Sequence, residues 1–121
     1  MSNETIPARS GEFDGRVLDE LYATIESRRG DDPRESRTAR LFAKGEKKIA
    51  QKVGEEAVET VIEGVAGKPG ALIEESADLL YHLLVLWAAR GVTPGEVWAA
   101  LAARRGISGI AAKAARKSSP D

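Results

Sequence analysis

The 121-residue chain contains no cysteine, which rules out a disulfide framework, a thiolate-ligated metal and a cysteine nucleophile. It also lacks an excess of either charge. Its 18 lysines and arginines stand against 19 aspartates and glutamates, so the overall field favours neither a nucleic-acid partner nor a membrane surface. The longest apolar run, near Leu79 to Ala89, is too short and too interrupted to span a bilayer. The stretch Met1 to Glu12 is polar and has no apolar segment of the kind a signal peptide needs. Strand-forming alternation is missing throughout. What is left is a chain of single-domain size, expected to be all-α, soluble and cytoplasmic.

The apolar periodicity divides this chain into four to five helices. Residues 1–13 show no period and are read as a flexible leader. From Asp14 the positions Val17, Leu18, Leu21, Tyr22 and Ile25 form one stripe, predicting a helix over 14–28 that ends at Arg29-Gly30. Ser36 to Phe42 predicts a short helical turn closed by Gly45. Glu46 to Ala66 is long and periodic despite Gly54 and Gly64, each of which costs a helix about 1 kcal/mol relative to alanine, so packing has to support it. Gly67-Lys68-Pro69-Gly70 reads as a break. Ala71 to Arg90 follows as a helix that is apolar nearly all round, stopped by Gly91. Thr93, Pro94 and Glu96 then spell an N-cap, a first-turn proline and a capping-box acid for a last helix over 94–104. The domain is thus expected over 14–106, with 107–121 a tail that is either a frayed helix or disordered.

Two of these helices carry acids in a pattern that points to chemistry. At about 100° per residue, Lys48, Lys52, Glu55, Glu56, Glu59 and Glu63 share one arc of the 46–66 helix, opposite or beside Val53, Ala57, Val58, Val61, Ile62 and Val65. Like charges three and four residues apart repel, so the arc taken alone is equally a solvated acidic face. On the next helix, however, Glu75, Asp78 and His82 lie on a stripe bordered by Leu79, Val85 and Leu86. Acids on a largely apolar helix need a cation, a basic partner or a retained proton. Facing Glu56 and Glu59 across an antiparallel pair, they would make an all-oxygen pocket, which selects a hard cation such as Mg²⁺ bound to substrate phosphates.

The resulting motif is Glu-Glu-x-x-Glu over residues 55–59 and Glu-x-x-Asp over 75–78, and it resembles the metal-binding signature of the MazG-type all-α nucleoside-triphosphate pyrophosphohydrolases. Within that superfamily, Thr38-Ala-Arg-Leu-Phe42, the run from Lys48 to Glu59 and Glu75-x-x-Asp-Leu-Leu-Tyr-His82 resemble the phosphoribosyl-ATP pyrophosphatase family of histidine biosynthesis. The likeness covers residues 16–117. It implies Glu56, Glu59, Glu75 and Asp78 as metal ligands, with Glu55 a further ligand or the base for the attacking water. It also implies Mg²⁺ as cofactor, phosphoribosyl-ATP as small-molecule substrate, and a homodimer in which helices of both subunits build each bundle. Arg37 departs from the pattern, since many members carry an aromatic residue there.

The residues support the same chemistry without the family. Hydrolysis at an α-phosphorus needs charge neutralisation, an oriented water and a proton acceptor, and acids at 55, 56 and 59 supply candidates for the last. Arg37, Arg40, Lys44, Lys47, Lys48 and Lys52 crowd the entry to the acidic helix and offer a phosphate cradle, with Lys48 and Lys52 favoured because they share the carboxylate arc. Thr38, Arg40 and His82 are carried forward as further substrate contacts, although a single histidine on a packed helix also reads as a satisfied core group. Trp87 and Trp98 are assigned to packing. A helix apolar all round in so short a chain leaves surface that a second copy would cover, so the bundle is expected to be completed by dimerisation. Three rival readings stand beside this one. A house-cleaning nucleotide hydrolase would share the metal site. A di-iron bundle would need a Glu-x-x-His that the chain lacks. A non-catalytic helical module would leave the acids in solvent.

Overall fold

A computed structural model of the chain describes residues 12–106 together with Lys113 and Arg116. The described residues form five helices and no strand: α1 (Arg16–Ser27), α2 (Arg37–Lys44), α3 (Glu46–Ala66), α4 (Pro69–Arg90) and α5 (Pro94–Ala102). The leader and the tail expected at the two ends fall almost wholly outside these residues.

Local chemistry explains each boundary. α1 starts two residues later than its apolar spacing indicates, because the Asp14 carboxylate accepts the Arg16 N–H at 3.0 Å and holds the chain in a turn before the helix. Ser36 caps α2, its hydroxyl accepting from the Ala39 N–H at 3.1 Å, and the helix continues through Lys44 to Gly45. The four-residue break expected between α3 and α4 shrinks to Gly67 and Lys68. Pro69 enters as the first residue of α4, where its missing N–H costs nothing and its fixed φ suits the helix. Gly67 closes α3 at φ 72°, a left-handed conformation that a side chain would strain, and the Lys68 N–H returns 3.2 Å to the Glu63 carbonyl. Gly91 repeats the device at the end of α4. α5 opens with a complete capping box: the Glu96 N–H donates to Thr93 Oγ1 at 3.3 Å, and the Thr93 N–H donates to Glu96 Oε1 at 2.8 Å. It ends at Ala102, two residues short of the expected span.

The two-residue connection forces α3 and α4 into an antiparallel hairpin, which is the most extensive helix pairing in the fold. The main core sits at one end of it. Ile25 of α1, Leu41 of α2, Ile49 of α3 and Leu84, Val85 and Ala88 of α4 are buried together, with Leu18, Leu21, Tyr22, Phe42, Tyr81 and Trp87 packed around them. Burying each large aliphatic side chain contributes about 1.5–3 kcal/mol. Polar ties fix the same end. Tyr22 donates its hydroxyl to the Val92 carbonyl at 2.8 Å, and Arg29 reaches the Ala88 carbonyl near the end of α4 while lying 4.4 Å over the Phe42 ring. Trp98 of α5 joins α1 through Asp19 (3.0 Å) and meets Trp87 edge-on at 6.0 Å.

Toward the connector the hairpin is barer. Val58, Val61, Ile62 and Val65 of α3 and Ile73 and Leu80 of α4 are exposed, Val65 at 86%. Glu56 and Glu63, by contrast, are half-buried. α3 therefore turns part of its acidic arc inward and much of its valine-rich arc outward, the reverse of an ordinary amphipathic helix. Replacing Ile49, which is completely buried, by alanine is expected to lower stability by about 2–5 kcal/mol. Urea unfolding followed by the helical far-ultraviolet signal would measure it, and an unchanged midpoint would contradict the placement of the core.

Candidate active site

Glu75 and Asp78 lie three residues apart on α4, which puts their carboxylates on one face of the helix, and the antiparallel register sets that face against Glu56 of α3. One carboxylate oxygen from each of Glu56, Glu75 and Asp78 lies within 4.8 Å of the others. Glu56 and Glu75 are half-buried, while Asp78 remains open to solvent. Such crowding acts on Glu75, whose carboxyl is pushed above its ordinary value. Partial withdrawal from water is the largest cause. A hydrogen bond with Glu56 follows, and then the negative fields of Glu56, Glu59 and Asp78.

Glu59 belongs to this field, but its side chain is exposed and stands outside the close trio. Glu55 points along its own helix: Gln51 donates to its carboxylate at 2.8 Å and the Lys52 ammonium lies 3.5 Å away. The Gln51 hydrogen bond, with smaller help from the positive fields of Lys52 and Lys48, holds the Glu55 carboxyl below its ordinary value.

The trio fits a hard divalent cation. Mg²⁺ takes six oxygens at about 2.0–2.1 Å, so opposite ligands are about 4 Å apart. Oxygens no more than 4.8 Å apart need only a small closure to meet that geometry, and the donor set holds neither nitrogen nor sulfur. The upward shift of the Glu75 carboxyl marks the same place from the electrostatic side, since the negative fields that contribute to it are those a cation would offset.

The other expected contacts are spread over α2, α3 and α4. Lys48 and Lys52 are half-buried on the acidic arc. Arg40 is exposed and donates from Nε to the Pro33 carbonyl at 3.1 Å, bracing the loop before α2. Thr38 is buried, its hydroxyl 2.6 Å from the Tyr81 hydroxyl. His82 is completely buried, with both ring nitrogens engaged. Its Nδ1 lies 2.8 Å from the Asp78 carbonyl and must carry the proton that this acceptor takes. Nε2 is then the acceptor for Arg37, whose guanidinium approaches to 3.4 Å and lies 5.3 Å over the Tyr81 ring. His82 thus meets anything in the site only behind Arg37. One side chain at the centre of the hairpin is not singled out by the sequence pattern: Thr60 donates its hydroxyl to the Glu56 carbonyl at 2.7 Å and lies 3.3 Å from the Glu75 carbonyl. Its sole signal was its place four residues after Glu56.

Five helices without a strand among the described residues, and carboxylates converging from the two arms of a helical hairpin, are the arrangement that the resemblance to the MazG-type all-α pyrophosphohydrolases implies. The comparisons with known proteins narrow this class. A family model described as phosphoribosyl-ATP pyrophosphohydrolase matches residues 18–105. A protein named phosphoribosyl-ATP pyrophosphatase from Azospirillum brasilense is 65% identical over 102 residues, covering 84% of this chain and 92% of its own. One of the same name from Paramagnetospirillum magneticum is 58% identical over 103 residues, covering 85% and 94%. A third, from Rhodospirillum rubrum, is 53% identical over 111 residues, covering 92% and 95%. The chain belongs to the phosphoribosyl-ATP pyrophosphohydrolase family.

The raised Glu75 carboxyl has a measurable signature in the metal-free protein. The folded chain holds this proton more tightly than the unfolded chain does, so its contribution to stability is fully present below the ordinary value of 4.5. It is lost as the pH rises through the higher folded value. Glu75→Gln should remove this component of the pH profile of the urea midpoint, and a profile that the substitution leaves unaltered would show that Glu75 does not feel its neighbours.

Proposed function

We propose that this chain hydrolyses phosphoribosyl-ATP to phosphoribosyl-AMP and pyrophosphate, the second step of histidine biosynthesis, using Mg²⁺ held by Glu56, Glu59, Glu75 and Asp78. The observation that carries this reading is the convergence of three carboxylate oxygens within 4.8 Å across the α3–α4 hairpin, in a chain whose relatives are named for the activity. An Mg²⁺ held there would supply charge neutralisation for the polyphosphate and polarisation of its phosphoryl oxygens.

The chain's own residues supply the rest. Glu56, Glu75 and Asp78 give the oxygen trio, and Glu59, whose field reaches Glu75, would be the fourth ligand. Glu55 stays ionised beside Gln51 and Lys52 and serves as acceptor for the proton of the attacking water. The water oxygen forms a new bond to the α-phosphorus, the bond to the bridging oxygen breaks, and that electron pair leaves with pyrophosphate. Lys48 and Lys52 meet the phosphates from the same arc. Thr38, Arg40 and His82 lie on the ribose and base side, with His82 acting behind Arg37.

A homodimer completes the site in this reading. The outward valines of α3 and the exposed Ile73 and Leu80 of α4 flank the acids and leave them on an open face. A second copy covers this apolar surface and closes the cleft around the substrate. The working setting is the cytoplasm.

Pyrophosphate release from phosphoribosyl-ATP, assayed with and without Mg²⁺ and beside a panel of nucleoside triphosphates, tests the substrate and the cofactor together. Turnover should need Mg²⁺ and should favour phosphoribosyl-ATP; equal turnover of the panel would instead support a house-cleaning nucleotide hydrolase. Glu59→Gln should abolish turnover while the helical signal persists, and normal turnover in that variant would refute the ligand set. Val61→Glu should shift the sedimenting species from dimer to monomer and lower activity with it. A wild-type chain that sediments as a monomer at every concentration would end the dimer proposal.

A further inference from the structure

Thr60 lies on α3 one turn beyond Glu56, half-buried and on the side that faces α4. A threonine in a helix often returns its hydroxyl to the carbonyl four residues earlier, and Thr60 does so to Glu56 at 2.7 Å. What distinguishes it is a second acceptor. The main-chain carbonyl oxygen of Glu75, on the opposite arm, lies 3.3 Å from the same hydroxyl. A hydroxyl has one hydrogen, and each carbonyl has a second lone pair beyond the one used in its own helix. The proton is therefore shared in a three-centre bond, shorter toward Glu56 and longer toward Glu75. Both acceptors are the backbones of residues whose side chains converge in the oxygen trio.

The Glu75 and Glu56 side chains also meet at this level, and the other ties along the hairpin lie away from it. Near the core, Arg90 meets Glu46 at 2.9 Å between exposed side chains, a kind of pair that contributes little. Near the connector, the Leu72 side chain of α4 lies against Gly64 of α3. Between them Glu56, Glu75 and Asp78 converge across the helix pair, and Thr60 is the residue whose hydroxyl reaches the main chain of both arms there.

We propose that Thr60 is a positioning residue for the cation site, its hydroxyl bridging the main-chain carbonyls of Glu56 and Glu75 and so fixing the height and separation at which the two ligand turns face each other. This rests on the reading of Glu56, Glu75 and Asp78 as ligands of a divalent cation. Thr60 touches neither cation nor substrate in this role. It narrows the spread of oxygen positions before binding, so its removal weakens cation binding while leaving the helices in place.

The test is titration of the full chain, without substrate, with Mn²⁺ as a paramagnetic stand-in for Mg²⁺, reading free Mn²⁺ by electron paramagnetic resonance. Thr60→Val keeps the side-chain shape and deletes the donor, and it should weaken Mn²⁺ binding by about three- to tenfold, the worth of one neutral hydrogen bond. Thr60→Ser should restore the wild-type affinity. Thr24→Val removes the same kind of backbone bond within α1, to the Glu20 carbonyl at 3.2 Å, and should leave Mn²⁺ binding unchanged. Wild-type affinity in Thr60→Val overturns the proposal, as does a Thr60→Ser chain that binds as weakly as Thr60→Val. If Thr60→Val loses the helical far-ultraviolet signal, Thr60→Ala takes its place with the same two outcomes. A wild-type chain that takes up no Mn²⁺ sinks the cation site itself and this proposal with it, a result distinct from equal binding by wild type and variant.

Discussion

The repulsion between carboxylates carried by α3 and α4 is the constraint around which the rest of the structure is arranged. Left to themselves, Glu56, Glu75 and Asp78 would separate, and each helix would rotate its acids into water. The hairpin denies them that choice. A connector of two residues fixes which turns face each other, and a core at the far end fixes the rotation of both arms. Glu75 records the cost by holding its proton more tightly than an exposed glutamate does. Positive charge entering the gap would offset the negative fields that help to raise the Glu75 carboxyl.

The distribution of apolar surface follows the same division of labour. The burial that stabilises the chain is gathered around Ile25, Ile49, Leu84 and Val85, where α1 and α2 close over the hairpin, while the length that carries the acids is flanked by bare valines. Burial is thus concentrated at one end of the pair of helices, while the acid trio sits between that core and the connector, on a length with less protein packed against it.

Much of this was legible in the sequence, and the legible parts share a physical reason. Helices α1, α3 and α5 announce themselves through period and caps; Thr93, Pro94 and Glu96 in particular allow hardly any other local structure. The Glu-Glu-x-x-Glu and Glu-x-x-Asp spacings place acids on single faces by helical geometry alone; the structure brings Glu56 together with Glu75 and Asp78 and leaves Glu59, expected beside Glu56, outside the close trio. Other features depend on rotamers and neighbours that spacing does not encode. Nothing in the order of residues says that Glu55 would turn along α3 to Gln51 and Lys52, or that the His82 ring would lie sealed between the Asp78 carbonyl and Arg37. The outward-facing valines were hidden for a similar reason: a hydrophobic stripe predicts burial, and it does not say whether the same chain provides the cover. The start of α4 was misjudged because proline and glycine together look like a full stop, whereas proline at a first helical position is an opening.

The shortness of the link between α3 and α4 has a consequence for how this protein can vary. Each residue of helix advances its side chains by about 100°, so a single insertion at Gly67-Lys68 that extended either arm would swing the acids of α4 a quarter turn or more away from those of α3. Substitutions along the outer surface alter one contact at a time, but a change in the length of this join would misalign every pair at once. The two connecting residues, both exposed, act as the gauge that sets Glu56 against Glu75 and Asp78.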